Sequence, residues 1–196
     1  LEGGEFLKAS ALLRPTSHDA LNFGTLVHQL FEEIDWWSPE DNEHYLQRLD
    51  DRKIEWDDSL RRILDTLQLS TDVSRILTPE FYNDLPSFNT TDQLIVKNEV
   101  AVTSIVDGKL IRGFADRIVL GMRQGKIIAA DIVDYKTDAL GENQSKLLER
   151  TTHYRPQINA YRATISQMLN LNDADVSARL LFVTAGVHVP IEVENE

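Results

Sequence analysis

The chain has 196 residues, enough for one domain with its own core, and 42% of them are apolar, as is ordinary for a globular protein. The lack of cysteine excludes disulfides, thiolate zinc sites and iron–sulfur clusters, and fits the reducing cytoplasm. The net charge of -12 argues against a free-standing DNA-binding module, because phosphate binding usually requires a basic surface.

The first half of the chain has the residue spacing of helices. Residues 1–18 have no periodic pattern, whereas the apolar residues of 19–37 recur on one broad helical face. Segment 38–92 is strongly charged and continues the helical spacing, most clearly in "WDDSLRRILDTLQL" (56–69). No apolar run approaches the roughly 18 residues that a membrane helix needs. We therefore expect a helix, a helical insertion and no membrane span.

The second half changes to strand patterns. Runs of β-forming residues cover 93–106, 109–120 and 126–136. They are joined by Asp107-Gly108 and by "GMRQG" (121–125), which are both connections typical of hairpins. We expect three consecutive antiparallel strands.

The last part of the chain returns to helices and ends in strands. A short helix is expected over 142–150, and Pro156 is expected to begin a second helix that runs to about Asn170. A final strand pair is expected at "SARLLFVTA" (177–185) and "VHVPIEV" (187–193). This order predicts an α/β domain in which a central mixed sheet is flanked by helices.

The strand at 126–136 ends in a group of reactive side chains. Because side chains alternate along a strand, Asp134 and Lys136 share one face and Asp131 points to the other. The hairpin can bring Asp116 close to Asp134, and two such carboxylates repel unless one is protonated or a cation lies between them. Carboxylate oxygens favour magnesium or manganese. An isolated Asp-x-Lys pair, however, is more often a surface ion pair than a functional site.

The first helix offers a histidine with notable neighbours. His28 lies four residues after Gly24 and four before Glu32, so the three side-chain positions share one side of the helix. Glycine in a helix costs about 1 kcal/mol relative to alanine, which suggests a close approach of helix and sheet. His28 is either a metal ligand or a satisfied helix histidine, and Glu32 either supports the site or is a surface charge.

The last helix contributes a further polar pair. Gln157 and Tyr161 are four residues apart and lie on one side, where they serve either the site or the packing of the helix. Arg155 lies at the expected start of this helix, where the helix N-terminus favours anions.

Five motifs occur in a characteristic order. They are Gly-x3-His-x3-Glu at 24–32, the strand that carries Glu99, "GFADRIVL" (113–120), "IVDYKT" (132–137) and "QINAY" (157–161). Together they resemble the RecB-type branch of the PD-(D/E)XK nucleases, and most closely the C-terminal nuclease domains of RecB and AddA helicase–nucleases. The resemblance covers about residues 22–37 and 95–185.

The resemblance implies a restriction-endonuclease-like core and assigns roles by motif. Asp116 and Asp134 match the two acidic metal ligands and Lys136 the catalytic lysine. His28 matches an additional metal ligand, Glu99 an auxiliary acid, and the backbone carbonyl of Tyr135 a further ligand. Gln157 and Tyr161 match residues that position DNA phosphate or hold the site. Glu32 and Arg155 are expected to be supporting or substrate contacts.

The implied function is a DNA nuclease that uses Mg²⁺, with Mn²⁺ as a substitute, and has no iron–sulfur cluster. It would act like an exonuclease on single-stranded DNA or duplex ends, in DNA end processing, recombination and repair. We expect one nuclease domain over 1–196, with motif helix 19–37, helical insertion 38–92 and sheet core 93–196, excised from a longer protein. Expected partners are a helicase domain of the same parent chain, which would supply the missing phosphate-binding surface, and a second subunit.

Two alternatives remain open. The chain could be a non-catalytic module that retains the nuclease fold and binds DNA or a partner, although such a module would be expected to have lost Asp134 or Lys136. It could also be a magnesium-dependent enzyme acting on a phosphorylated small molecule, although the sequence contains no glycine-rich GxxxxGK loop.

Overall fold

A six-stranded mixed sheet forms the centre of the computed structural model, which describes residues 7–8, 18–106, 109–140 and 144–192. The order across the sheet is β1-β3-β4-β5-β6, and β2 pairs with nearly the whole of β3. The strands are β1 (Leu7–Lys8), β2 (Gln93–Val106), β3 (Lys109–Arg123), β4 (Lys126–Lys136), β5 (Val176–Phe182) and β6 (Val187–Pro190). The predicted α/β fold with a central mixed sheet is confirmed. The expectation of an irregular lead-in over 1–18 is wrong for Leu7 and Lys8, which pair with β3.

The strand directions follow from the lengths of the connections. The pairs β2–β3 and β3–β4 are antiparallel, whereas β4 and β5 are parallel and need a long crossover. The β3–β4 turn consists of Gln124 and Gly125, whose φ angles of 52° and 75° are both positive, as a two-residue type I′ turn requires. The predicted hairpin is confirmed, but β3 runs to Arg123, three residues beyond its predicted end at 120, so the turn is shorter than the expected connection at 121–125. The connection expected at Asp107-Gly108 lies outside the described residues.

Six α-helices lie within the described residues. They are α1 (His18–Glu32), α2 (Asn42–Asp51), α3 (Asp58–Leu69), α4 (Thr71–Ile76), α5 (Pro79–Asn83) and α6 (Gln144–Leu169), with single 3₁₀ turns at Pro39–Asp41, Pro86–Phe88 and Asp173–Asp175. Helix α3 begins after Asp57, whose carboxylate accepts a hydrogen bond of 2.8 Å from the Ser59 N–H. No helix in these described ranges is long and apolar enough to cross a membrane.

Helices α1 to α4 pack on one face of the sheet. Leu30 and Phe31 of α1 and Leu64 of α3 are fully buried in a cluster that also contains Val133 and Tyr135 of β4. Burying a side chain of this size stabilises the fold by about 1.5–3 kcal/mol. The helices of segment 38–92 therefore share their core with the helix that carries His28.

Helix α6 packs on the opposite face, against Ile132 and Leu180. This alternation confirms that Asp134 and Asp131 point to different faces. Asp131 is fully buried on the α1 side, where its carboxylate pairs with Arg179 (Nη2–Oδ1 2.8 Å) and accepts a hydrogen bond of 2.5 Å from Ser177 Oγ. Asp131 therefore has a structural role in joining β4 to β5.

The expectation of two separate helices over 142–170 is wrong, because α6 is one continuous helix with Pro156 in its interior. Proline in a helix interior removes the hydrogen bond to the carbonyl four residues earlier, that of Thr152, and its ring crowds this carbonyl. Both Thr152 and Pro156 are exposed, so water can bind this carbonyl. Buried residues before and after the proline, Tyr154 and Ile158 among them, hold both halves to the same sheet face.

Candidate active site

Three elements distant in sequence bring His28, Glu99 and Asp116 together. Nδ1 of His28 lies 3.3 Å from Oδ1 of Asp116 and 3.9 Å from Oε1 of Glu99. In the β2–β3 ladder Asn98 is opposite Arg117, which places Glu99 next to Asp116. One ligand atom of each of the three residues lies within 4.8 Å of the other two, close enough to hold one metal ion.

Asp134 and Lys136 join this cluster from β4. Arg117 is opposite Val133, so Asp116 and Asp134 come next to each other in the register. The backbone N–H of Tyr135 donates a hydrogen bond of 2.6 Å to Oδ2 of Asp116. Asp134 and Lys136 form an ion pair and are only 2% and 8% exposed. The two halves of the candidate site are thus joined by direct contacts.

Glu99 has an unusual backbone conformation in the middle of β2. Its φ angle of 52° lies in the left-handed region, which costs a residue other than glycine about 1–3 kcal/mol. The strand changes face at this residue: Val96 packs with the cluster of Tyr82 on the α1 side, whereas Val102 packs with α6. The strained residue is therefore one of the three neighbouring carboxylates of Glu99, Asp116 and Asp134, which we call the acidic cluster.

Lys136 is held by a second residue that sequence reasoning missed. Its Nζ lies 4.3 Å from the ring centre of Tyr154, a distance at which the ring face attracts a cation. The Tyr154 hydroxyl donates a hydrogen bond of 2.9 Å to Oδ2 of Asp138. Tyr154 lies three residues before Gln157 and seven before Tyr161, and this helical spacing could have identified it.

Gln157 and Tyr161 contact each other, as their spacing predicts. Nε2 of Gln157 donates a hydrogen bond of 3.0 Å to the Tyr161 hydroxyl. Burial raises the pKa of Tyr161, and the nearby carboxylates of Asp134 and Asp116 add to the rise. Both side chains therefore lie on the side of α6 that faces the acidic cluster.

The electrostatics of the cluster favour an added cation. Burial alone would lower the pKa of His28, but Asp116, Glu99 and Asp134 outweigh it and raise that pKa to about 10. Burial raises the pKa of Asp134 in spite of the Lys136 ammonium beside it. Three adjacent carboxylates are thus neutralised only in part by Lys136 and a protonated His28.

Arg117, the neighbour of Asp116, holds α1 in place. Its side chain is fully buried and donates hydrogen bonds to two carbonyls just after α1, those of Ile34 (2.8 Å) and Asp35. These contacts stabilise the end of α1 at Glu32, five residues before the end predicted at residue 37. The same arginine thereby fixes the helix of His28 against the strand of Asp116.

A comparison with protein families identifies the superfamily of the chain. The family model described as the PD-(D/E)XK nuclease superfamily matches residues 5–194. The chain belongs to the PD-(D/E)XK nuclease superfamily. The superfamily predicted from the five motifs is confirmed, and membership suggests a metal-dependent nuclease. A search of curated proteins finds no match.

The residues present fit the divalent metal that PD-(D/E)XK nucleases generally require. The cluster offers carboxylate oxygens from three acidic residues and one imidazole nitrogen, a set that suits Mn²⁺ and Mg²⁺. With no cysteine in the sequence, an iron–sulfur cluster is excluded.

Two residues assigned to this PD-(D/E)XK site differ in their surroundings from what the sequence predicted. The Glu32 carboxylate forms an ion pair of 3.0 Å with Arg52, directly after α2, and is not part of the cluster of His28, Glu99 and Asp116. Arg155 is in the middle of α6, so the expected anion site at a helix start is wrong. Residues two apart on a helix do not face the same way, so Arg155 also points away from Gln157.

Gly24 marks where α1 approaches the sheet. A Cβ atom added at Gly24 would lie 3.4 Å from Oγ1 of Thr137, directly after β4. The predicted close approach of helix and sheet is present, and it keeps His28 within reach of Asp116.

Proposed function

We propose that this chain is a Mg²⁺- or Mn²⁺-dependent nuclease that hydrolyses phosphodiester bonds of DNA. The observation that carries the proposal is the meeting of Asp116, Asp134 and Lys136 on adjacent strands, with His28 reaching Asp116 from α1. A surface Asp-x-Lys pair would be exposed to solvent, whereas this pair is buried beside a further carboxylate.

Asp116, Asp134 and His28 are the proposed metal ligands, with Glu99 and the backbone carbonyl of Tyr135 as further candidates. A divalent metal held by these residues would lower the pKa of a bound water and offset the charge of the scissile phosphate. Histidine is a poorer ligand for magnesium than for manganese, so we expect manganese to substitute readily.

Lys136 is the proposed catalytic lysine. Held between the Asp134 carboxylate and the Tyr154 ring, its ammonium group is fixed before substrate binds. It would orient the attacking water and stabilise the negative charge that develops on the phosphate. We assign the joined side chains of Gln157 and Tyr161 to the contact with the DNA phosphate.

The wider context is a proposal supported by motif order. The five motifs most closely resemble RecB- and AddA-type nuclease domains, so we propose an exonuclease-like activity in DNA end processing, recombination and repair. A helicase domain of the same parent protein, a second subunit and a cytoplasmic location with access to chromosomal DNA belong to this proposal.

The test is cleavage of labelled single-stranded and duplex DNA by the purified chain. We expect cleavage in manganese, slower cleavage in magnesium, and none in excess chelator. A chain that binds DNA but never cuts it in either metal would be the non-catalytic module instead, and the catalytic proposal would fail.

A further inference from the structure

Helix α6 differs in charge from the rest of this acidic protein. It carries four cationic side chains, Lys146, Arg150, Arg155 and Arg162, against a single carboxylate, that of Glu149. The whole chain has 32 acidic and 20 basic residues, and α2 and α3 show no excess of cations. The excess of positive charge on α6 is therefore local.

Four polar residues of α6 form one continuous row, which we call the α6 ridge: Lys146, Arg150, His153 and Gln157. Their spacing of four, three and four residues places them on one side of the helix. The first three are exposed and Gln157 is half-buried. At a rise of 1.5 Å per residue, the ridge is about 16 Å long.

The ridge ends at the candidate active site. Gln157 is bonded to Tyr161, whose pKa responds to Asp134 and Asp116. Nε of Arg150 lies 3.2 Å from Oδ1 of Asp138. Oδ2 of Asp138 accepts the hydrogen bond from the hydroxyl of Tyr154, the residue whose ring covers Lys136. Arg150 is thus anchored beside the residues that hold the proposed catalytic lysine.

We propose that the α6 ridge binds the phosphate backbone of a single DNA strand and guides it to the acidic cluster. This inference rests on the proposed nuclease function. A substrate with one negative charge per nucleotide is repelled by a protein of net charge -12 unless cations line its approach. One row of cations along one helix side matches one strand, since a duplex would present two backbones.

The ordinary alternative is a solvated helix face without a ligand. Two features argue against it. The row leads without interruption to Gln157, and the exposed Arg150 side chain is held in one position by its ion pair with Asp138.

The test compares two double variants that each remove two positive charges. The ridge variant combines Lys146→Ala with Arg150→Ala and removes two cations from the α6 ridge. Arg123→Ala with Lys126→Ala is the matched control at the exposed β3–β4 turn, at the other end of β4 and about 26 Å from Asp134. Both double variants also carry Asp134→Ala, so that DNA is not cut. Fluorescence anisotropy measures their binding of labelled single-stranded and duplex oligonucleotides.

We expect the ridge variant to raise the Kd for single-stranded DNA about tenfold at low salt and to lower the slope of log Kd against log salt by about 1.4, roughly 0.7 per lost phosphate contact. The control variant should bind as its Asp134→Ala parent does. An equal loss of affinity for single-stranded DNA in both variants, or no loss of affinity in the ridge variant, would overturn the inference. If the ridge variant lost affinity for duplex DNA alone, a single strand would be the wrong ligand for the ridge.

The same preparations separate this inference from the proposed function. With Asp134 restored, the chain is assayed for cleavage in manganese. If the chain binds DNA through the α6 ridge but does not cut it, the proposed nuclease function is refuted and the inferred role of the ridge stands. A chain that cuts DNA with a KM unaffected by the ridge variant would refute the ridge and retain the nuclease.

Discussion

Tyr154 explains at the scale of single residues how a lysine is kept ready in a buried acidic cluster. Asp134 neutralises the Lys136 ammonium from one side and the Tyr154 ring covers it from another, so that the side chain has little freedom left. Strand alternation was enough to predict that Asp134 and Lys136 share a face, because alternation is a local property. The contact of Tyr154 with Lys136 arises only when α6 packs on the sheet, and a strand pattern carries no trace of it.

The covering role of the Tyr154 ring can be separated from that of its hydroxyl. Tyr154→Leu should lower kcat about 3- to 30-fold, since a cation–ring contact contributes about 0.5–2 kcal/mol. Tyr154→Phe keeps the ring, loses only the bond to Asp138, and should stay close to the wild-type rate. Cleavage of a labelled oligonucleotide at saturating substrate measures kcat. Equal rates in the two variants would contradict the role of the ring.

His28 should make the stability of the metal-free protein depend on pH. Its folded pKa of about 10 is above the ordinary value of 6.5, so the stabilisation is fully present below pH 6.5 and is lost as pH rises through 10. With a third of the side chain exposed, we expect about 1–2 kcal/mol.

Urea unfolding in chelator, at pH 6.5 and at pH 10, measures this effect. The wild type should lose more of its unfolding free energy over this interval than His28→Gln does. Parallel losses in the two proteins would show that the carboxylates do not hold a protonated histidine.

At the scale of elements, the sequence predicted strands better than helices. The bounds of β2 and β4 agree with the predicted 93–106 and 126–136, because alternating apolar residues and a Gln-Gly turn define them locally. The continuity of α6 could not be predicted, since a proline ordinarily marks the beginning of a helix. Packing against the sheet before and after Pro156 keeps the helix continuous.

The end of α1 depends on Arg117, a residue that lies more than eighty positions away in sequence. Arg117→Leu fills much of the same space but leaves the carbonyls of Ile34 and Asp35 without their donor. We expect a loss of about 3 kcal/mol in unfolding free energy, because each unsatisfied buried polar group costs about 1–3 kcal/mol. Urea unfolding measures it, with exposed Arg123→Ala as the control. Wild-type stability in Arg117→Leu would contradict the account of α1.

At the scale of the whole molecule, the insertion and the motif-bearing parts share one core. Segment 38–92 matches none of the five motifs, yet Leu49 and Leu64 are buried with the α1 residues that precede His28 and follow it. The sequence predicted that this segment is helical, and it could not predict which face of the sheet the helices cover. That choice depends on contacts between distant segments, which periodicity does not encode.

Charge is also organised at the scale of the molecule. The net charge of -12 argues against DNA binding when taken alone, but the charge is uneven, because α6 carries an excess of cations. Net charge does not describe how the charge is distributed, whereas the ordered motifs predicted the superfamily correctly.

The most direct test of the central claim is the initial rate of DNA cleavage in manganese by the wild type and by Asp134→Ala and Lys136→Ala. Glu43→Gln, which removes a carboxylate that is 75% exposed on α2, serves as the matched control. We predict cleavage by the wild type and by Glu43→Gln, and rates reduced to the level of the chelated protein in the other two, with their folds intact. Full activity in Asp134→Ala and Lys136→Ala would contradict the assignment of the site.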